Sequence, residues 1–330
     1  MPQLSGQKDV EIIALCYDRR EIFWQEKVTS ERSKPQQLWR SVDVLLGRGR
    51  ARSSSSITAD AVHALFDAKV AGVRSSTNDA SPPVFTDALP GCSLTDFLTL
   101  SVYDVITAVR RLPDKQCASD PLPTSLLWES VDVLAPFLVE LFNRSLLQGV
   151  VPTVFKSAYI TLLLKKPDLD STENKSYRTI SNLSVLSKTL DRLVARQLLD
   201  YIYAADQMPD LQSAYRAYHS TETAVLKALA DILQAVDSGD LAALALLDLS
   251  AAFDTVDHVT LLHRLKKSYS LGSRAHDWFQ SYLSGRFQSV RCGGTTSTLT
   301  KLVCGVPQGS VLGTSHHYAS ADFRARLSRS

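Results

Sequence analysis

A short aliphatic run that ends in a carboxylate places the strongest restriction on the fold of this chain. Leu244, Leu246 and Leu247 belong to the segment LALLDLSAAFDTVDH, in which Asp248 closes the run. Such a run predicts a buried strand, and a carboxylate at its end needs a hydrogen-bond partner, a cation or water. Two interpretations are open. Asp248 either binds a metal ion, as carboxylates do in phosphoryl-transfer enzymes, or caps the next helix.

Helical patterns lie on both sides of this predicted strand. Extended patterns occur at 157–164 and in a predicted hairpin at 287–304, where Gly293-Gly294 would form the turn. Helices and strands in this mixed order predict an α+β fold rather than a doubly wound sheet. Apolar residues recur at helical spacing over 33–47, 58–73, 102–112, 184–202, 221–236, 258–266 and 275–284. A further long helix stops at Gly149, and Pro136 either starts or kinks it.

The composition is that of a globular protein. Hydrophobic residues make up 45% of the 330 residues and charged residues 21%. The five cysteines are widely spaced and contain no Cys-x-x-Cys pair, which is typical of reduced thiols. No apolar run reaches the length of a membrane span, and the N-terminus lacks signal-peptide features. We therefore expect a soluble, intracellular protein of the nucleus or cytoplasm, with no membrane partner.

A local basic segment stands out against the overall net charge of +2. Residues 156–196 contain eight Lys or Arg and four Asp or Glu, a local net charge of +4. Within it, Lys165 and Lys166 follow a predicted strand, and Arg178 comes after a polar loop. Cations on such a flap can neutralise a triphosphate. A solvated turn next to an ordinary helix face explains the same residues equally well.

A glycine-rich segment, GVPQGSVLG, follows the predicted hairpin at 305–313. Glycine allows the backbone to approach a ligand closely, and the amide of Gln308 can pair with a base or a sugar. The segment is not a phosphate-binding P-loop, because it contains no Gly-Lys-Ser/Thr.

Together and in this order, these segments resemble the reverse transcriptase domain of non-LTR (LINE-type) retrotransposons of the CR1/L2-like kind. The resemblance covers about 95–313 and implies a helix-rich, right-hand polymerase with fingers and a partial palm, preceded by a helical and linker extension. It implies a connector at 1–94, an N-terminal extension and fingers at 95–240, a partial palm at 241–313 and an unrelated tail at 314–330. The segments that carry it are YITLLLKKPDLD, SYRTISNLSVLSKTLDRLVARQL, LQSAYRAYHSTETAVL, LALLDLSAAFDTVDH and GVPQGSVLG.

The resemblance also implies roles for individual residues. Asp248 looks like the first ligand of a two-metal magnesium site, and Phe253 like the steric gate that excludes a ribose 2′-OH. Lys165 and Arg178 look like the contacts to the incoming triphosphate, with Lys166 as the alternative to Lys165. Gln308 and Gly309 look like the motif beside the template and the new base pair. The implied partners are an RNA template, a DNA primer and deoxynucleoside triphosphates. The sequence carries no signal for an oligomeric state.

The second half of the implied metal site has no counterpart in the sequence. Such polymerases carry two further carboxylates in an aromatic-Ala-Asp-Asp motif after the Gly-Val-Pro-Gln-Gly segment, whereas this chain continues as TSHHYASADFRARLSRS with the single Asp322. A two-metal site needs carboxylates from separate strands. We therefore expect the chain as given to be inactive as a polymerase. Two alternatives stay open: a non-catalytic relic that binds RNA or DNA, and an inert product of a pseudogene.

Overall fold

The chain divides into two units in the computed structural model. One unit comprises residues 1–54 and 164–171, and the other comprises 55–163 and 172–330. In the first unit, residues 21–30 are helical. The helices and strands that concern the site belong to the second unit. The structure describes residues 19, 21–30, 41–42, 58–77, 79–113, 120, 122–166, 169–170, 173, 176–214, 216–246, 253–292 and 295–313.

Helices make up about half of the described part of the second unit, and local signals fix their ends. Ser101 and Asp104 form the predicted capping box, each accepting a hydrogen bond from the backbone N–H of the other. Gly149 ends the third helix in the left-handed conformation at φ 65°. No described helix has the length and apolar character that crossing a bilayer requires. The helices are α1 (Ala59–Ser76), α2 (Val102–Arg110), α3 (Thr124–Gln148), α4 (Val185–Ala204), α5 (Thr221–Asp237), α6 (His258–Tyr269) and α7 (Ser273–Leu283).

One mixed sheet completes the unit and confirms the predicted α+β class. Its order is β2-β1-β3-β4, and β5 also pairs with β3. Strands β1 and β3 are parallel, in a register that runs from Ser157 opposite Phe287 to Thr161 opposite Arg291. Strand β4 is antiparallel to β3, as the predicted hairpin requires. The strands are β1 (Ser157–Leu164), β2 (Tyr177–Asn182), β3 (Phe287–Cys292), β4 (Thr295–Thr296) and β5 (Thr300–Lys301).

The main core is formed by α2, α3, α4, α6 and α7. Its largest side chain, Trp278, is fully buried and stacks on Tyr282 with the ring centroids 5.4 Å apart. The indole N–H of Trp278 donates to Ser145 Oγ at 3.1 Å, so the polar atom of this side chain is also satisfied. Apolar and polar contacts therefore hold Trp278 within the helical core.

The aliphatic run before Asp248 departs from the prediction. Residues 241–246 form no strand, and Leu244 and Leu246 are 62% and 86% exposed. The predicted buried strand is therefore wrong for these residues. An aliphatic run is buried in a sheet only where a neighbouring strand receives its backbone hydrogen bonds, and the described sheet contains no pairing to this run. Asp248 lies outside the described residues, as do most of the predicted helix at 33–47 and the whole of 314–330.

Candidate functional site

A single cavity brings together segments that are distant in the sequence. Its volume is about 480 Å³, which lies in the range of small-molecule sites, roughly 300–1,000 Å³. Helix α1 forms one wall, and strands β1 and β2 contribute a second with small side chains such as Thr179 and Ser181. The remaining walls come from Phe253 and Asp254, from the residues around the start of β3 and from 301–308.

The glycine-rich segment is bound to the Phe253 segment through the backbone. Gly305 N donates to Val256 O at 2.7 Å, and Val306 N donates to Phe253 O at 2.8 Å. Gly305 has φ +80°, and a Cβ at this position would lie 2.7 Å from Asp254 O. Real Cβ atoms do not approach a carbonyl oxygen that closely, so this junction requires glycine.

The next turn of the same segment is bound to strand β2. Ser181 N donates to Gln308 O at 2.8 Å, and Ser310 N donates to Pro307 O at 3.0 Å, which closes the turn. Gly309 has φ +117°, and a Cβ there would lie 3.0 Å from Ser181 O. Gln308 lines the cavity. The Phe253 segment, β2 and the Gln308 turn are thus held together around one space.

A histidine at the start of α6 also contacts this junction. His258 Nε2 lies 2.7 Å from Gly305 O; because a carbonyl oxygen only accepts, Nε2 carries the hydrogen and donates it. Burial lowers the pKa of His258, and the bond to Gly305 opposes this shift. The neighbouring Asp257 caps α6 by accepting from Thr260 N at 2.8 Å, and this bond lowers the pKa of Asp257. The residue that caps α6 is therefore Asp257.

The described carboxylates at the cavity already have partners. Asp254 Oδ2 forms an ion pair with Lys69 Nζ at 3.2 Å, and Asp67 lies 3.3 Å from His63 Nδ1, an ion pair when the imidazole is protonated. The described residues contain no group of three or more His, Cys, Asp or Glu side chains placed to hold a metal ion. This part of the chain alone therefore does not fit a magnesium ion.

A buried polar network lies where the core meets the cavity. Arg286 lines the cavity, is 1% exposed and donates to Tyr282 O at 2.8 Å and to Phe155 O at 3.4 Å. The Tyr282 hydroxyl donates to Asp191 Oδ2 at 3.3 Å. Burial raises the pKa of Asp191 to about 7, against the opposing effect of the Arg286 charge and the Tyr282 bond. Burial also raises the pKa of Tyr282.

Only some of the predicted site residues line the cavity in the described part of the chain. Phe253 and Gln308 both line the cavity, and Gly309 follows directly. Arg178 is exposed on β2, and the alternation of side chains along a strand places it on the face opposite Thr179 and Ser181. Lys165 and Lys166 directly follow β1 in the sequence and are assigned to the first unit. Asp248 lies outside the described residues.

Sequence reasoning missed the contribution of α1 and of Arg286. Phe66, Val70 and Arg74 of α1 line the cavity and occur at intervals of four residues, so they share one face of the helix. An arginine that continues an apolar row was the available signal. Arg286 follows a glycine after a helix, a setting typical of a surface turn, and nothing local announces its burial.

Comparison with known proteins identifies the central part of the chain. The sequence profile of the family "Reverse transcriptase (RNA-dependent DNA polymerase)" matches residues 164–318. The chain is 33% identical over 215 residues to the probable RNA-directed DNA polymerase from transposon BS of Drosophila melanogaster, which covers 65% of this chain and 23% of the relative. It is 32% identical over 220 residues to the probable RNA-directed DNA polymerase from transposon X-element of the same species, covering 67% and 24%.

A third relative agrees with these two. The RNA-directed DNA polymerase from mobile element jockey of Drosophila melanogaster is 30% identical over 215 residues, covering 65% of this chain and 23% of the relative. The chain thus spans about a quarter of the length of the curated relatives that it matches. The match begins at the end of β1 and includes Phe253, Gln308 and the junction between their segments. The chain therefore carries, in residues 164–318, a reverse transcriptase domain of the non-LTR retrotransposon type.

Proposed function

We propose that the chain is a fragment of an RNA-directed DNA polymerase, built from fingers and part of a palm, whose cavity receives a deoxynucleoside triphosphate opposite an RNA template. The observation that carries the proposal is the hydrogen-bonded junction of the Phe253 segment, the Gly305 to Gln308 segment and strand β2 around a space of about 480 Å³. The names of the relatives support the same activity.

The two predicted residues that line the cavity have complementary functions in this proposal. The ring of Phe253 is half-buried at the wall, where an aromatic side chain would collide with the 2′-OH of a ribonucleotide. The Gln308 amide can donate and accept hydrogen bonds, and its backbone is bound to Ser181. Contacts of Arg178 and of Lys165 or Lys166 to the triphosphate remain predictions from the family resemblance, because none of the three lines the cavity.

Magnesium enters the proposal only through Asp248. The described carboxylates Asp254 and Asp257 are engaged by Lys69 and by the start of α6. When bound, magnesium would neutralise charge on phosphate oxygens. A chain of these 330 residues supplies one predicted ligand carboxylate, so we propose that it binds nucleotides but does not extend a primer.

Nucleotide selectivity tests the proposed function. We expect the wild-type chain to bind dATP more tightly than ATP in a competition titration against a fluorescent dATP. Phe253→Val removes the ring that would collide with the 2′-OH. The ratio of the Kd for ATP to the Kd for dATP should therefore fall about tenfold. Phe137→Val is the matched control, because Phe137 is 73% exposed on α3 and lies outside the cavity.

Two results would contradict the proposal. One is a wild-type chain with no preference for dATP, and the other is an equal loss of preference in the control variant. In a parallel assay with an RNA template, a DNA primer, all four deoxynucleotides and magnesium, we expect no extended primer. A product that Asp248→Ala abolishes would disprove the proposed inactivity while supporting the polymerase assignment.

A further inference from the structure

Helix α1 lies outside residues 164–318, which the family profile matches, yet it is fixed to the cavity. Its buried residues Ala59 and Val62 pack with Ile160 and Val290 of the sheet in a small core of their own. His63 contacts the hydroxyl of Thr300 on β5. The ion pair between Lys69 and Asp254 then joins the middle of α1 to the loop that carries Phe253. Helix α1 is therefore a fixed wall of the site.

The charges at the cavity do not balance. The two acidic residues that line it are engaged, Asp254 with Lys69 and Asp67 with His63. Arg74 and Lys301 are exposed, line the cavity and have no described carboxylate within ion-pair distance, although the charge of Arg74 helps to lower the pKa of Asp257. The cavity therefore has cations available for an anionic ligand.

A third cation strengthens the positive potential at the cavity. The two hydrogen bonds of the buried Arg286 end on main-chain carbonyl groups, and the acid on which its charge acts, Asp191, has a pKa that burial raises to about 7. Besides burial, the charges of Arg286 and Arg74 both lower the pKa of His258, which is consistent with the two guanidinium groups acting on the same region.

The rest of the lining suits a ring system. Phe66 of α1, Phe253 and Phe287 are aromatic residues of the wall, and Gln288 and Gln308 supply amides. A space of about 480 Å³ holds a mononucleotide, whereas a nucleic-acid strand requires an open groove. The lining therefore favours a small ligand with a phosphate end and a flat or apolar end.

We propose that α1 is part of the nucleotide pocket, with Arg74 and Lys301 contacting the phosphate groups of a deoxynucleoside triphosphate and Phe66 packing against its base or sugar. This inference rests on the proposed function and adds binding residues from a segment outside the family match. The proposal assigns the two ends of the ligand to different residues. The two cations contact only the phosphate groups, and Phe66 contacts only the nucleoside.

Competition by inorganic tripolyphosphate and by dATP against a fluorescent dATP tests this separation. Arg74→Gln and Lys301→Gln should each weaken both competitors by about tenfold, because each loses a charged contact to phosphate. Phe66→Ala should weaken dATP by about the same factor and leave tripolyphosphate unchanged. The matched controls are Arg144→Gln, an exposed arginine of α3 paired with Glu140, and Leu65→Ala, a 40% exposed residue of α1 outside the cavity.

The outcomes distinguish this inference from the proposed function. If the wild type binds dATP selectively and Phe253→Val narrows that preference, but the Arg74, Lys301 and Phe66 variants behave like their controls, α1 is only structural and the inference fails alone. If the wild type binds neither competitor, both proposals fail. Arg74 and Lys301 are exposed, so their variants test the inference even if Phe66→Ala fails to fold, which circular dichroism would reveal.

Discussion

Helices α4 and α5 are both amphipathic and of similar length, 20 and 17 residues, yet only α4 is buried. Ten residues of α4 are buried, whereas none of α5 is. The apolar row of α5 is exposed along its whole length; its members are Val225, Leu226, Leu229, Leu233 and Val236. Amphipathic spacing therefore determines that a helix forms, and a neighbouring element determines whether its apolar face is buried.

Local signals explain why α5 is helical without a buried face. Ser220 and Thr223 form a capping box, and Glu222 lies in the first turn, where its negative charge favours the positive end of the helix dipole. Helix α4 has a single serine cap at Ser184 and instead contributes to the main core. We infer that packing stabilises α4 and local interactions stabilise α5.

The largest expected effect is on the free energy of unfolding, when the same substitution, leucine to alanine, is made in each of the two helices. Leu193 of α4 is 2% exposed and Leu226 of α5 is 62% exposed. Leu193→Ala leaves a cavity in the core and should lower the free energy of unfolding by about 2–5 kcal/mol. Leu226→Ala removes a solvated side chain and should change it by less than about 0.5 kcal/mol. Urea unfolding followed by circular dichroism measures both values.

Equal losses of unfolding free energy in the two leucine variants would contradict the difference between α4 and α5. They would mean that the apolar face of α5 is covered in solution, because a solvated leucine has little packing to lose. Hydrogen exchange in the wild type gives an independent check, since amides of α5 should exchange faster than amides of α4.

A second pair of variants compares the site with the end of α5. Gly305 and Gly239 have nearly the same backbone angle, φ +80° and φ +83°, but an added Cβ meets Asp254 O at 2.7 Å only at Gly305. Gly239→Ala should cost about 1 kcal/mol, the strain of a left-handed alanine. Gly305→Ala should cost about 3 kcal/mol and weaken dATP binding, because the junction must also move apart. Similar losses in both variants would show that the close contact at Gly305 is absent in solution.

The sequence predicted those features of the fold that depend on neighbouring residues. The capping box at Ser101 and the glycine stop at Gly149 fixed helix ends correctly, since both signals act within one turn of the helix. The family resemblance assigned roles to Phe253 and Gln308; both line one cavity, and their roles stay predictions.

Features that depend on distant partners were not predicted. Leu244 and Leu246 satisfy the pattern of a buried strand, but a strand also needs a neighbour, which no local pattern specifies. In the same way, the row of Phe66, Val70 and Arg74 indicates one face of α1 but not its partner, because tertiary packing brings α1 and Arg286 to the same cavity. The periodicity of α5 resembles that of α4, and only the structure distinguishes their environments.

The smallest expected effect is on the pH dependence of the unfolding free energy, compared for one acidic residue on each helix. The buried Asp191 of α4 has a pKa of about 7, raised from 3.8 chiefly by burial. The folded state therefore keeps this proton up to about pH 7, whereas the unfolded state loses it near pH 4, so stability should fall as pH rises between these values. Between pH 5 and pH 7 the wild type should lose on the order of 1–2 kcal/mol more than Asp191→Asn, which cannot titrate but still accepts from Tyr282.

The matched control for this pH effect is Asp231→Asn on α5, which removes an exposed ion pair with Lys227. Surface pairs of this kind contribute little to stability, so this variant should keep the wild-type dependence on pH. Urea unfolding at pH 5, 6 and 7 measures all three proteins. Parallel curves for the wild type and Asp191→Asn would show that Asp191 is ionised in the folded state, held by the nearby charge of Arg286. The buried network would then be an ion pair, and the core around α4 would owe part of its stability to charge as well as to apolar packing.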